Sequence, residues 1–247
     1  MPANFETIAD YYDIMYVDPA EYRAEAQKAA ALIEKYKTCP NRRLLDLACG
    51  TGEQSRTFAE SFAVTGIDLS EEMLHAAARK VPSAEFLPAD IFDFHFDEPF
   101  GAAVNLYGSI GFARGYDQLR DGLRCVYDCL TPGGVFLLTP WATRETFREG
   151  IVSQSGERDG IHFCRMETVK RKAPQAVEVE MFHLVEQDGA VRQFHHLQKI
   201  TLFSEAEYQH ENGGFGGLCY EFDYQVPCLK STEIAIGYLL GLRERCV

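Results

Sequence analysis

A strand-like run that breaks into glycines constrains this chain most: LLDLACGTG at residues 44–52. Residues 41–48 read as a buried strand with a nearly continuous apolar run, and residues 53–60 as the helix that follows. Gly50 and Gly52 allow left-handed backbone in the turn and let a ligand lie close to the main chain. In open α/β sheets the crevice beyond the strand ends is where ligands bind. A dinucleotide loop is the competing interpretation, because Gly50-x-Gly52 begins one. Position 55 is Ser instead of the third glycine, and Asp46 stands at the strand end. That acid repels a pyrophosphate and attracts the ammonium of an amino-acid ligand.

The unit repeats along the chain. Residues 62–67, 84–88, 102–106 and 135–139 read as strands, residues 70–80 and 116–130 as helices, with Ser70 as a helix cap and Thr131-Pro-Gly-Gly closing the second. This alternation predicts a doubly wound, mostly parallel α/β sheet of Rossmann-like type. After Pro140 the pattern changes. Residues 160–170, 176–185 and 191–203 alternate apolar and polar side chains and are joined by turns such as Gln187-Asp-Gly-Ala. They predict an antiparallel sheet inserted after the fifth strand. A capped helix over 204–211 and strands over 218–226 and 233–240 complete the main sheet. The expected organisation is one domain over 1–247, with residues 1–40 as an N-terminal helical lid and 141–203 as an inserted subdomain covering the substrate.

Two further acids follow strands. Asp68 ends the second strand, where a carboxylate can accept both hydroxyls of a ribose, and Asp90 follows the third, within reach of an adenine amino group. Asp46, Asp68 and Asp90 are spaced 22 residues apart (46, 68, 90). Any one of them reads equally well as a turn or cap Asp. An acid at three successive strand ends is a far more specific signal than the glycines.

Here the chain resembles the class I methyltransferases that use S-adenosylmethionine (SAM), over residues 44 to about 139. The resemblance implies a seven-stranded sheet with one antiparallel strand near the C-terminus, and SAM as cofactor. It implies Asp46, Ala48, Cys49, Gly50 and Gly52 around the methionine part, and Asp68 on the ribose. Leu69 and Met73 would lie beside the adenine, with Asp90 and Ile91 at its edge, and Asn105 and Leu106 on the sulfonium side. A narrower resemblance runs through ADYYD (9–13), VNLYGSIGF (104–112), Pro140-Trp141, Glu145-Thr-Phe147, ITLF (200–203) and Tyr208. These segments are similar to the N,N-dimethyltransferases of nucleotide-linked aminosugars. That likeness implies Tyr12 over the SAM methyl group and the acceptor amine, and Trp141 in the acceptor pocket. The chain departs from that pattern at Phe112, where several members carry Tyr or His, at Thr139 in place of Glu, and at Gln198 in place of His. It also lacks the Arg of the C-terminal stretch matched by 231–234.

An amine attacking a methyl group must be unprotonated and held in line, and Tyr or His can take its proton. The catalytic candidates are Tyr12, His195 and His196. As neighbours in a strand the two histidines point to opposite faces, so only one can face the pocket. Tyr16, Tyr107, Phe112 and Trp141 are the acceptor-binding candidates, and His183 reads as an ordinary strand histidine. The alternatives are an O-methyltransferase acting on a hydroxyl or carboxylate, and a SAM-binding module without turnover.

Composition narrows the partners. With 24 Lys+Arg against 37 Asp+Glu the net charge is −13, which repels a phosphate backbone and disfavours nucleic acid. The run FDFHF (92–96) reads as loop-to-core packing. No stretch is long and apolar enough for a membrane span, and the first ten residues lack the pattern of a secretory signal. The eight cysteines include no Cys-x-x-Cys pair, His and Cys lack zinc spacing, and no metal is expected. Cys125 and Cys129 read as core contacts on one helix face. The expected protein is cytoplasmic, with reduced thiols and a small-molecule methyl acceptor. Nothing in the sequence opposes a homodimer.

Overall fold

The computed structural model describes residues 8–210, 218–226 and 234–242. The departure at 231–234 lies almost wholly outside them. Two N-terminal helices come first, α1 (Ala9–Tyr16) and α2 (Pro19–Tyr36). Asp18 starts α2 by accepting hydrogen bonds from the N–H groups of Ala20 and Glu21, ahead of Pro19 at the first helical position. The alternating units follow: β1 (Arg43–Leu47), α3 (Glu53–Phe58), β2 (Ala63–Asp68), α4 (Glu71–Lys80), β3 (Glu85–Pro88), β4 (Phe100–Asn105), α5 (Tyr116–Cys129) and β5 (Leu130–Leu138). Ser70 caps α4 by accepting from the Met73 N–H at 3.3 Å. The main sheet has the order β10-β11-β5-β4-β1-β2-β3, with β10 at Leu218–Val226 and β11 at Ile234–Leu242. Strands β1 to β5 run parallel, and β11 joins β5 antiparallel. This is the expected seven-stranded, doubly wound architecture.

Both faces of the sheet are covered, which is why its strands read as continuous apolar runs. Ala26, Ala29 and Ile33 of α2 pack with Leu44, Val64, Val104 and Leu137 on one face. Leu119, Leu123 and Val126 of α5 pack with Leu45, Ile67, Ala103 and Phe136 on the other. Phe92, Phe94 and Phe96 close that second layer, as loop-to-core packing requires. The residues Thr131-Pro-Gly-Gly open β5 instead of forming a separate turn. The register slips there, from Phe100 opposite Leu130 to Ala102 opposite Val135, so that the strand starts five residues early, at Leu130 instead of Val135, around an irregularity. Cys39, Cys49, Cys125, Cys129 and Cys164 are free thiols.

Between β5 and β10 lies a four-stranded antiparallel sheet: β6 (Gly150–Arg158), β7 (Ile161–Ala173), β8 (Ala176–Gln187) and β9 (Ala190–Thr201). Two of its hairpins, β6–β7 and β8–β9, turn on Asp159-Gly160 and Asp188-Gly189, each with positive φ at both residues (54° and 75°, 54° and 78°). That backbone matches the twist of paired strands, and Asp-Gly supplies it. Strand β6 escaped the sequence reading because it is a mostly exposed edge, without the alternation that betrays a half-buried strand. A short helix α6 (Glu205–His210), started by Ser204, returns the chain to the main sheet.

The helix α1 lies between the two sheets. Ile8, Tyr11 and Met15 pack with Phe163 and Val185 of the inserted sheet. Arg158 donates to the carbonyls of Asp13 and Val17 at 2.9 and 2.6 Å. On the other side Thr51 Oγ1 donates to Asp13 Oδ1 at 2.5 Å, and Lys80 bridges Asp13 and Glu53 at 2.6 and 2.9 Å. The N-terminal helix is thus tied to the glycine turn and to the insertion at once.

Candidate active site

The turn after β1 is left-handed at Ala48 (φ 57°), Gly50 (φ 53°) and Gly52 (φ 73°). At Gly52 the need for glycine is twofold: the φ is positive, and a Cβ would stand 2.9 Å from the Ala77 Cβ on α4. Cys49 is buried and its N–H donates to the Ile67 carbonyl at 3.0 Å. The next N–H, of Gly50, donates to Asp68 Oδ2 at 2.9 Å, and the Ser70 N–H donates to Asp68 Oδ1 at 3.0 Å. So held, the Asp68 carboxylate retains acceptor capacity for an incoming hydroxyl. Burial pushes its carboxyl up, against the pull of those N–H groups.

Asp46 is deeply buried and accepts from Ser55 Oγ at 2.5 Å. Burial pushes its carboxyl up to about 7. Ser55, which in sequence only spoiled a dinucleotide pattern, holds this acid in place. Asp90 Oδ1 accepts from the Phe92 N–H at 3.0 Å, the turn role any single Asp could have. Beside Asp68, Leu69 leaves 54% of its surface exposed while Met73 is buried. Ile91 rests half-buried against the core.

Two residues expected on the sulfonium side, Asn105 and Leu106, are buried. Asn105 is buried with both ends of its amide engaged: Nδ2 donates to the Leu47 carbonyl at 2.8 Å, and Oδ1 accepts from the Ile110 N–H at 3.1 Å. Its side chain splices β4 to β1. Leu106 packs into the core under α2. An apolar residue just past a fully buried strand has its best partner in that core.

Aromatic side chains from α1, α2 and the turn after β4 form the other wall. Tyr12 stacks on Tyr16 at 4.9 Å and 21° between planes, and Tyr22 on Tyr107 at 4.5 Å and 14°. Tyr22 hydrogen-bonds Tyr12, and Tyr107 hydrogen-bonds the buried Glu25. Tyr107 takes a left-handed φ of 60°, and its N–H donates to Thr139 Oγ1 at 3.0 Å. Burial, helped by Asp13 and Asp68, pushes the Tyr12 phenol up to about 12. Burial likewise raises Tyr16 and Tyr22. Trp141 is half-buried 6.1 Å from Phe147, close against Gly108, and Phe112 packs between the main core and the inserted sheet.

The insertion separates the histidines. His195 stands on the outer face, stacked on Phe182 and 3.0 Å from Glu180, so it is not part of the site. His196 points inward and is buried against His183 at 5.6 Å between ring centroids. His183 faces α1, with Nε2 2.6 Å from the Tyr16 hydroxyl. Parity would have found it: positions 177, 179, 181, 183 and 185 share one face of β8, and the others on it are apolar. Asp13, Thr51 and Lys80 were missed because their contact joins three separate elements.

The acids at three strand ends, the left-handed turn and the exposed apolar Leu69 suit a ligand with a ribose, an adenine and a cationic amino-acid part, which is the make-up of SAM. Residues 44–134 match the methyltransferase domain family. The chain is 36% identical to dTDP-3-amino-3,4,6-trideoxy-alpha-D-glucopyranose N,N-dimethyltransferase of Streptomyces venezuelae, over 81% of this chain and 86% of that protein. It is 32% identical to dTDP-3-amino-3,6-dideoxy-alpha-D-glucopyranose N,N-dimethyltransferase of Streptomyces fradiae, over 82% and 80%. The crystal structure of Streptomyces venezuelae DesVI superimposes with a TM-score of 0.84 at 31% identity, covering 95% of this chain and 98% of that one. The chain belongs to the class I SAM-dependent methyltransferases, and it is an enzyme of that family with SAM as its cofactor. Within the family it is similar to the sugar N,N-dimethyltransferases, along the inserted sheet as well as the SAM-binding half.

Proposed function

We propose that the enzyme methylates the amine of a nucleotide-linked aminosugar, with residues 1–40 as a lid and 141–203 as the wall over the acceptor. The observation that carries this reading is the likeness to the Streptomyces venezuelae sugar N,N-dimethyltransferase, which spans the inserted sheet as well as the SAM-binding turn. Asp68 would hold the ribose of SAM, Asp90 and Ile91 the adenine edge, and Asp46 the amino-acid part.

SAM supplies a methyl group on a positively charged sulfur that leaves as a neutral thioether. The protein's work is then to hold an unprotonated amine in line and keep water out. Tyr12 serves this as a neutral phenol. Its oxygen can accept an N–H of the amine and aim the nitrogen lone pair, but with the phenol held near 12 it carries its own proton throughout the neutral range. His183, depressed to about 4 by burial, is too weak a base to take the amine's proton at neutral pH. Tyr12 and His183 thus serve by positioning and not as general bases.

The test is incubation with SAM and dTDP-3-amino-3,4,6-trideoxy-α-D-glucose, followed by mass spectrometry. Two methyl groups on the sugar nitrogen are expected. Methylation of oxygen alone, or no methylation by a protein that binds SAM, overturns the acceptor assignment.

A further inference from the structure

The inner face of the inserted sheet carries a polar island inside an apolar surface. Above it, Phe163 and Val185 pack on α1; below it, Val169, Val177, Val179 and Ile200 pack with Phe147 and Trp141. Between them the register aligns Gln154, Arg165 and His183 in one row, and Glu167, Met181 and His196 in the next. His183 has no exposed surface, and Arg165 and His196 are buried with it. Polar groups set in such a place are costly unless each is used.

The island converges on one side chain of the lid. Tyr16 donates its hydroxyl hydrogen to Glu167 Oε1 at 2.9 Å, and the Tyr16 hydroxyl oxygen itself lies 2.6 Å from His183 Nε2. A phenol has a single hydrogen, so with Glu167 taking it His183 Nε2 must be the N–H donor. His183 Nδ1 is then the bare nitrogen, and it has no hydrogen-bond partner among the described residues. The Arg165 guanidinium lies 4.2 Å over the Tyr16 ring and bonds Glu167 at 3.2 Å and Gln154 at 2.9 Å. The hydroxyl of Tyr16 is therefore fixed from two sides and its ring from one face. The other element packed on that ring is Tyr12, stacked at 4.9 Å.

We propose that His183 is a positioning residue for methyl transfer: by fixing Tyr16 it holds the Tyr12 ring where the acceptor amine is aimed. The proposal rests on the methyl-transfer role given to Tyr12 above. His183 touches neither reactant. Its effect passes through one hydrogen bond and one ring stack, across the boundary between the inserted sheet and the lid.

The test compares wild type with His183→Leu, His183→Gln, Tyr16→Phe and the Leu/Phe double variant. Hydrogen exchange of the α1 amides in the S-adenosylhomocysteine complex reads the lid without any acceptor. Exchange is expected to quicken at least tenfold in His183→Leu and in Tyr16→Phe, no further in the double variant, and to return towards wild type in His183→Gln, whose amide can still donate. With dTDP-3-amino-3,4,6-trideoxy-α-D-glucose, kcat should fall tenfold or more in the first two, while affinity for S-adenosylhomocysteine stays within about twofold. Unchanged α1 exchange, additive effects in the double variant, or a cofactor affinity that falls in step with kcat overturns the proposal. Should His183→Leu fail to fold, Tyr16→Phe and His183→Gln still decide: wild-type α1 exchange in Tyr16→Phe overturns it. A sugar that is not methylated at all sinks the acceptor assignment and leaves the exchange result to judge His183.

Discussion

Asp46 and His183 mark the two ends of what single residues disclose. Asp46 was legible because its neighbours in sequence, a strand before it and glycines after it, fix where it stands. His183 was not, because its meaning comes from Tyr16, which is 167 residues away. Asp46 also carries a pH signature. Its carboxyl is held near 7 in the folded chain against an ordinary 3.8, so between those values the folded protein binds the proton more tightly than the unfolded chain does. Stability of the ligand-free protein should therefore decline as pH climbs from about 4 to 7 and level off above, with a span of a few kcal/mol from this group. A cationic amino-acid group beside Asp46 favours the ionised form. Affinity for S-adenosylhomocysteine, measured by calorimetry, should then be several-fold tighter at pH 8 than at pH 6. Asp68, also pushed up, adds in the same direction. In Asp46→Asn the slope should shrink, and an unchanged slope would remove Asp46 from the ligand.

Among elements, those with an internal signal were legible and those defined by a partner were not. The parallel strands announce themselves by continuous apolar runs, β7 to β9 by alternation, and the hairpins by Asp-Gly. Edge strand β6 has no such mark, and α1 is short, its role set by the surfaces on either side. The attachment of α1 to the glycine turn runs through Asp13, which accepts from Thr51 and pairs with Lys80. The carboxylate is partly exposed (39%), so its worth to global stability is small, at most about 1 kcal/mol. Its worth to the site is larger, because Tyr12 is the adjacent residue. Asp13→Asn should shift the unfolding temperature by only a few degrees. It should lower kcat/KM for the acceptor several-fold, as read by steady-state kinetics beside a thermal melt. An equal kcat/KM would make the Asp13 pair a surface contact without function.

At the scale of the whole molecule, the order β3-β2-β1-β4-β5 places the ends of β1, β2 and β3, and with them Asp46, Asp68 and Asp90, along one edge of the sheet. That arrangement follows from right-handed crossovers and short connections, which is why three acids equally spaced in sequence could be read as one binding edge. What the sequence withheld is how the insertion and the N-terminal helices meet above that edge, since no local pattern specifies contacts between residues 13 and 158 or 16 and 183. The consequence is thermodynamic. A ligand bound only by the folded state stabilises the whole cooperative unit by RT ln(1 + [L]/Kd), about 2.7 kcal/mol at a hundredfold excess over Kd. For a chain of this length that corresponds to a rise of roughly 5–10 °C in unfolding temperature. S-adenosylhomocysteine should produce it, and the shift at the same concentration should shrink in Asp68→Ala, which removes the proposed acceptor of the ribose hydroxyls and the partner of the Gly50 N–H. A full shift in Asp68→Ala would move the ribose away from β2 and undo the placement of the cofactor along the strand ends.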